Sequence, residues 1–196
     1  MKTPSLRIVG GELKGRTIPA PFGLTIRPTS QKAREAVFGI MGTTINQATV
    51  ADLFCGTGAI GIEALSRGAA RVVFVDHHKI HMTRLHQTLS QLHLLPQTLL
   101  LNTDIQLAIQ NPNLLGWRPF DVLFLDPPYQ FPGMNDVLAS LEAAKLMVPH
   151  GLVIYEHFHK TVPPTSIGEW SQFRKARYGD TAFTFYAVIP EATSSS

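Results

Sequence analysis

The run Phe120-Asp121-Val122-Leu123-Phe124-Leu125, cut off by Asp126-Pro127-Pro128-Tyr129, constrains the fold of this chain more than any other stretch. The apolar run reads as a buried strand. Neither Pro127 nor Pro128 has an N–H for a sheet ladder, and both have a fixed φ, so the chain must leave the sheet there as a stiff, extended turn. Such a turn leaves a carboxylate at the C-terminal edge of the strand, an aromatic face beside it and backbone carbonyls between them. The arrangement suits a planar molecule that carries an amino group. The ring stacks on Tyr129 while Asp126 and a proline carbonyl accept the two amine hydrogens. The plainer reading of the same residues is a connection to a helix that begins with two prolines.

Around this strand the pattern alternates. Strands are expected at 49–54, 71–75, 98–101, 120–125 and 152–156, with helices at 59–67, 79–93, 104–110 and 134–147 between them. Met82, Leu85, Leu89 and Leu92 form the stripe of a helix that covers a sheet face. Strands alternating with helices imply a parallel sheet with right-handed crossovers. After Glu156 the pattern changes to two strands, 170–177 and 182–189, with no helix between them, which predicts an antiparallel hairpin at the sheet edge. Upstream, residues 6–20 read as a glycine-containing β-hairpin. A proline loop then leads to Thr29-Ser30, where a hydroxyl can cap a helix over 31–41. The chain thus divides into an N-terminal hairpin and basic appendage (1–28), an α/β domain with a mostly parallel seven-stranded sheet (29–190) and a frayed tail (191–196).

In open α/β sheets ligands bind at the C-terminal ends of the strands, near the topological switch point. The first strand of the alternating region leads into Asp52-Leu53-Phe54-Cys55-Gly56-Thr57-Gly58-Ala59-Ile60-Gly61, and the second ends in Asp76. Gly56, Gly58 and Gly61 match the spacing of a dinucleotide-binding loop, with Asp76 placed to take two ribose hydroxyls. That pattern fits a nucleoside-containing cofactor without separating NAD from S-adenosylmethionine. Asp52 shifts the balance, because a carboxylate before the glycine loop repels a pyrophosphate and suits the positive amino end of a phosphate-free methionyl cofactor. Asp104, after the third strand, can accept a hydrogen from an adenine amine.

Charge is uneven. The first fifty residues carry seven basic and two acidic groups, whereas the remaining 146 carry 10 and 12. A basic segment joined to a slightly acidic domain points to a polyanion partner. A second cluster, Arg174-Lys175-Ala176-Arg177, lies near the C-terminus. No apolar run reaches the roughly 18 residues needed to span a bilayer. Cys55 is the single cysteine, so no intrachain disulfide forms and a reducing cytoplasm is the expected setting.

Taken together, Asp52 to Gly61, Asp76, Asp104 and Asp126-Pro127-Pro128-Tyr129 resemble the class I S-adenosylmethionine-dependent amino-methyltransferases, which have a Rossmann-like fold. Arg7-Ile8-Val9-Gly10-Gly11 with Lys14-Gly15-Arg16, then Arg27-Pro28-Thr29-Ser30 with Arg34-Glu35-Ala36-Val37-Phe38, narrow the likeness to the RsmD family. Members of that family methylate the exocyclic N2 of a guanine in bacterial small-subunit ribosomal RNA. The likeness runs from about Leu6 to Glu156 and includes Ile60 to Gly68. Ile26 departs from it, standing where a threonine is expected, and the helix after Asp76 is unusually rich in histidine. The resemblance implies that Asp52, Gly56 and Gly58 flank the methionine part of S-adenosylmethionine, that Asp76 holds its ribose and that Asp104 holds its adenine. Asp126, Pro127 and Tyr129 would hold the target base, and Arg27 to Thr29 would close over the cofactor. Arg7, Lys14, Arg16 and Arg34 are the candidates for gripping RNA phosphates. The partner is ribosomal RNA or a small-subunit assembly intermediate, with no membrane and a monomeric protein.

Other side chains are assigned plainer roles. His77, His78 and His81 crowd one helix start, yet no acid or cysteine completes a metal set, and no metal is expected. Cys55 reads as a small loop residue, His157 and His159 as loop residues past a strand, and Glu156 receives no role. The alternatives are an amino-methyltransferase acting on DNA adenine or a protein amide, a nicotinamide oxidoreductase, and a non-catalytic RNA-binding module.

Overall fold

The computed structural model describes residues 5–19, 29–129 and 131–188, so Arg27, the proline loop before it and the C-terminal tail lie outside the described residues. The chain begins with a two-stranded antiparallel hairpin, β1 (Ser5–Arg7) and β2 (Thr17–Pro19), in which Ser5 faces Pro19. Helix α1 (Gln31–Met41) starts where a hydroxyl cap is expected, with the Ser30 side chain accepting from the Ala33 N–H at 3.2 Å. Strands and helices then alternate: β3 (Thr49–Leu53), α2 (Ala59–Ser66), β4 (Arg71–Asp76), α3 (Lys79–Gln91), β5 (Thr98–Asn102), α4 (Ile105–Gln110), β6 (Phe120–Leu125), α5 (Met134–Ala143) and β7 (Met147–Phe158). The last elements are β8 (Ser166–Ile167), β9 (Trp170–Tyr178) and β10 (Thr181–Val188).

The large sheet has the order β5-β4-β3-β6-β7-β10-β9-β8. Strands β5, β4, β3, β6 and β7 are parallel, and β10 enters antiparallel between β7 and β9. Strand β3 is flanked by its sequence successor β4 on one side and by β6 on the other, so the topology switches at the crevice between β3 and β6.

Side chains alternate across the sheet, and each parity has its own core. On β6, Val122 and Phe124 join α1, α2 and α3, while Leu123 and Leu125 join α4 and α5. Burial on both faces explains why this strand reads as one apolar run. Each fully buried Leu or Phe contributes about 1.5–3 kcal/mol.

The hairpin is fastened to the domain. Ile8 and Ile18 are buried in the same core as α1 and α2. The Val9 N–H donates to Glu63 Oε2 at 2.9 Å, and the Ser66 hydroxyl donates to the Gly10 carbonyl at 2.6 Å. Gly11 has φ +76°, and a Cβ there would land on the Ser66 carbonyl. The glycine pair of the N-terminal motif therefore permits backbone contact with α2.

Three boundaries differ from expectation. Helix α5 stops at Ala143 instead of running to 147, because Lys145 turns into the left-handed region (φ +48°) and holds Glu142 at 2.6 Å and Glu169 at 3.2 Å. Strand β7 starts at Met147, well before 152, since Met147 pairs with Phe120 before an irregularity restores the register at Val122 and Leu152. The sheet has eight strands, not seven, the extra one being the two-residue β8, too short to leave an alternating pattern.

Candidate active site

The C-terminal edge of the sheet presents one row of polar side chains. Asp76 ends β4, Asp52 lies one residue from the end of β3, Asp126 follows β6 and Glu156 lies near the end of β7. Neighbouring strands are about 4.8 Å apart, so the row from Asp76 to Glu156 covers three strand spacings, roughly 14 Å. By the two-residue period of a strand, Asp52, Asp76 and Glu156 share a face with Val50, Phe74 and Ile154, all in the core under α1, α2 and α3. The Asp126 N–H continues the ladder by donating to the Leu53 carbonyl at 3.3 Å.

The loop after β3 is shaped from within. Phe54 has φ +62°, uncommon for a side chain of this size, and packs edge-on against Phe131 with centroids 5.0 Å apart. Gly56 adopts φ +52° with open space where a Cβ would be, and its N–H donates to Asp76 Oδ2 at 2.9 Å. Gly58 and Gly61 are glycine for another reason: a methyl at either position would strike Phe74, and at Gly58 also Leu85. The close approach expected toward a ligand at Gly58 is in fact an approach to α3 and β4, and Gly56 alone faces free space. Asp52 is buried, and its Oδ2 accepts the Gly61 N–H at 2.9 Å, at the start of α2. It thus anchors the loop, and its carboxyl is not exposed beside a ligand.

Burial sets the protonation of this row. Loss of water pushes the Asp52 carboxyl well above the usual carboxylate range, against the Gly61 N–H, and Asp126 and Asp76 push it further. Burial raises Asp126 to about 7. Glu156 is raised by burial and then by Asp126, with the Thr29 hydroxyl opposing. Carboxyls held back from ionising in this way regain their charge most readily beside a cation.

The turn after β6 has the predicted shape. The Pro128 carbonyl accepts the Phe131 N–H at 2.8 Å, while no hydrogen bond to the Pro127 carbonyl is found among the described residues. The Tyr129 ring is 45 % exposed, 5.8 Å from Phe158, and its hydroxyl is paired with Thr181 Oγ1 at 2.9 Å. Beside the turn lies a cleft of about 410 Å³ lined by Pro127, Pro128, Tyr129, Tyr155, Glu156 and Phe158.

Several expected roles change. The Thr29 hydroxyl donates to Glu156 Oε2 at 2.6 Å, which puts Thr29 on the β7 side of the row, three strands from Asp76. Arg34 is 1 % exposed, and its Nη2 donates to the Arg7 carbonyl at 2.9 Å. It pins the hairpin to α1 and cannot reach a phosphate at the surface. Arg7, Lys14 and Arg16 are exposed. His157 is a buried strand residue, not a loop residue, and its Nε2 pairs with Thr184 Oγ1 at 2.9 Å. Burial pushes the Cys55 thiol up, in keeping with a small structural residue. Asp104 is the exposed N-cap of α4, giving one oxygen to the Gln106 N–H at 2.8 Å and leaving the other outward. The acid missing from the histidine cluster is Asp76 itself, which groups with His77 and His78. Glu156 is the site residue that sequence reasoning passed over; its one signal is an acid at the end of an apolar strand, which Asp52 and Asp76 share.

A mostly parallel sheet of this order, closed by an antiparallel strand, is the class I fold of the S-adenosylmethionine-dependent methyltransferases. An RNA methyltransferase from Salinibacter ruber, solved in complex with S-adenosyl-L-homocysteine, shares that fold at 15% identity, with a TM-score of 0.61 over 85% of this chain and 97% of that one. The family follows from sequence, for the family model described as conserved hypothetical protein 95 matches residues 6–187, and the chain belongs to this family, the RsmD family. The Bacillus subtilis protein YlbH is 30% identical over 183 residues, covering 92% of this chain and 98% of that protein. Ribosomal RNA small subunit methyltransferase D of Escherichia coli K12 is 28% identical over 186 residues, covering 92% and 89%. The solved structure of yhhF from Escherichia coli is 29% identical and covers 95% of this chain and 99% of that one, with a TM-score of 0.81.

Proposed function

We propose that this chain, acting as a monomer in the cytoplasm, methylates the exocyclic N2 amine of a guanine in small-subunit ribosomal RNA or an assembly intermediate of that subunit. The observation that carries the reading is the Asp126-Pro127-Pro128-Tyr129 turn, standing at the end of β6 between the glycine loop and an open cleft. S-adenosylmethionine, when bound, supplies a sulfonium-activated methyl group. The residues present fit it: Gly56 leaves space over the loop, and Asp76 and Asp104 each keep acceptor capacity for ribose and adenine.

The chain's own part is alignment and charge. An aromatic amine is a weak nucleophile because its lone pair is delocalised into the ring. Asp126 and the Pro127 carbonyl accept its two hydrogens, turn the lone pair toward the methyl donor and stabilise positive charge that develops on nitrogen. Tyr129 offers a stacking face that compensates for base stacking lost when the nucleotide is extruded. Asp126 accepts its hydrogen best when ionised, and burial holds it back from that state.

The test is a methyl-transfer assay on small-subunit ribosomal RNA and on assembly intermediates, with mass mapping of the modified nucleoside. N2-methylguanosine at a single position is expected. Asp126→Ala should abolish transfer while leaving S-adenosylhomocysteine affinity within about twofold. Methylated adenine or a methylated protein amide as the product would refute the reading.

A further inference from the structure

The histidines after β4 converge on one carboxylate. His78 Nδ1 lies 3.2 Å and His77 Nδ1 3.9 Å from Asp76 Oδ1, and His81 Nδ1 lies 3.6 Å from Oδ2. The donor atoms of Asp76, His77 and His78 all fall within 4.8 Å of one another. His81 is only 10% exposed, and its Nδ1 is a buried nitrogen with no hydrogen-bond partner. A zinc ion with bonds of about 2.0–2.1 Å places tetrahedral ligand atoms about 3.3 Å apart, which His78 already meets and which His77 reaches by a small rotation of an exposed ring.

The geometry points to a zinc site made by Asp76, His77 and His78, with the His81 nitrogen against the other carboxylate oxygen. Imidazole nitrogens with one carboxylate suit zinc and its transition-metal neighbours, whereas magnesium and calcium require oxygen-rich sets. Asp76 has the capacity. Each carboxylate oxygen accepts two hydrogen bonds; Oδ2 accepts from the Gly56 N–H, and Oδ1 accepts from the His78 N–H at 2.7 Å with the His78 ring Nδ1 in hydrogen-bond range at 3.2 Å. Zinc takes the second position on Oδ1 by displacing the proton between Oδ1 and His78 Nδ1, which then both face the metal. In the proposed function the ribose hydroxyls need the same oxygens, so zinc and cofactor exclude one another, and zinc is an inhibitor of the methyltransferase. This exclusion rests on that functional reading; the metal site does not.

The experiment is calorimetric titration of zinc into the cofactor-free full chain in a non-coordinating buffer, with magnesium as control and a His77→Ala/His78→Ala double variant beside it. Both side chains are about half exposed, so the variant should fold, as its thermal midpoint will verify. One zinc per chain is expected, weakened at least tenfold in the double variant, with no heat from magnesium. Zinc at ten times its Kd should raise the apparent Kd of S-adenosylhomocysteine about elevenfold by competitive mass action, and should leave it unchanged in the double variant. Equal zinc binding by both proteins overturns the site. Zinc and S-adenosylhomocysteine binding together without mutual effect overturns the exclusion. Zinc binding without any S-adenosylhomocysteine binding would uphold the metal site and remove the cofactor reading instead.

Discussion

At the scale of single residues, the chemistry depends on how far protein surroundings hold acids away from their ordinary behaviour. Burial pushes Asp126 up to about 7, so in the proposed function the form that accepts an amine hydrogen is gained as pH rises through neutrality. Turnover should therefore fall on the acid side with an apparent midpoint near 7. Asp126 raises Glu156 and is itself raised by burial alone, so Glu156→Gln should leave that limb in place; a limb that moves in this variant would make Glu156 the group that titrates. Stability runs the opposite way. A carboxyl whose folded pKa is raised contributes stability that is complete below its unfolded pKa, near 4, and is lost as pH rises toward 7. Asp126→Asn should accordingly raise the melting temperature at pH 8 and leave it nearly unchanged at pH 4, while ending transfer. The Tyr129 hydroxyl, paired with Thr181, holds the stacking ring in place. Tyr129→Phe and Thr181→Val should each lower kcat/KM by a few fold, and Tyr129→Ala by far more, since only the last removes the ring. Equal losses in all three would replace stacking with a hydroxyl contact.

Among the elements, the glycine loop and the hairpin show how much of a functional motif is packing. Gly61 sits where a methyl would enter the Phe74 ring, so Gly61→Ala should destabilise the fold by about 1–3 kcal/mol through overpacking of α2 on β4. Chemical denaturation would measure it, and a neutral result would mean that α2 shifts freely. The Thr29–Glu156 hydrogen bond ties the residue before the Ser30 cap to the end of β7. This contact joins residues 127 positions apart, and nothing in the local sequence announces it. The helices and strands themselves were readable because their periodicities differ and because Ser30 supplies a cap at the expected place. The end of α5 was not, because Ala143-Ala144-Lys145-Leu146 has good helix propensity and is stopped by tertiary contacts, the ion pairs of Lys145 with Glu142 and Glu169 and the pairing of Met147 with Phe120.

For the whole molecule, the question is where RNA lies. In the proposed function the exposed Arg7, Lys14 and Arg16 of the hairpin, and Arg174, Lys175 and Arg177 on β9, would be the cations that meet a phosphate backbone. Lys14→Ala and Arg16→Ala should each flatten the slope of log K against log salt by about one unit for ribosomal RNA, with cofactor affinity unchanged. Wild-type slopes in both would reduce the hairpin to a cover for the domain. Arg34→Ala should behave differently. It should loosen the hairpin and lower stability without changing the salt slope, because the guanidinium is buried against the Arg7 carbonyl. No helix among the described residues is long and apolar enough to cross a membrane.

The sequence by itself determined the alternation of strands and helices, the acids and glycines that end the first strands, and the turn at Asp126 to Tyr129. Each is a local consequence of side-chain period, proline geometry or capping, legible within a few residues. Only the tertiary structure decided that Glu156 stands in the same row as Asp126, that Thr29 holds Glu156, that Arg34 is an internal pin and that three histidines surround Asp76. Those outcomes depend on strand order, which places β7 beside β6, and on burial, which decides whether a charged side chain meets water or another residue.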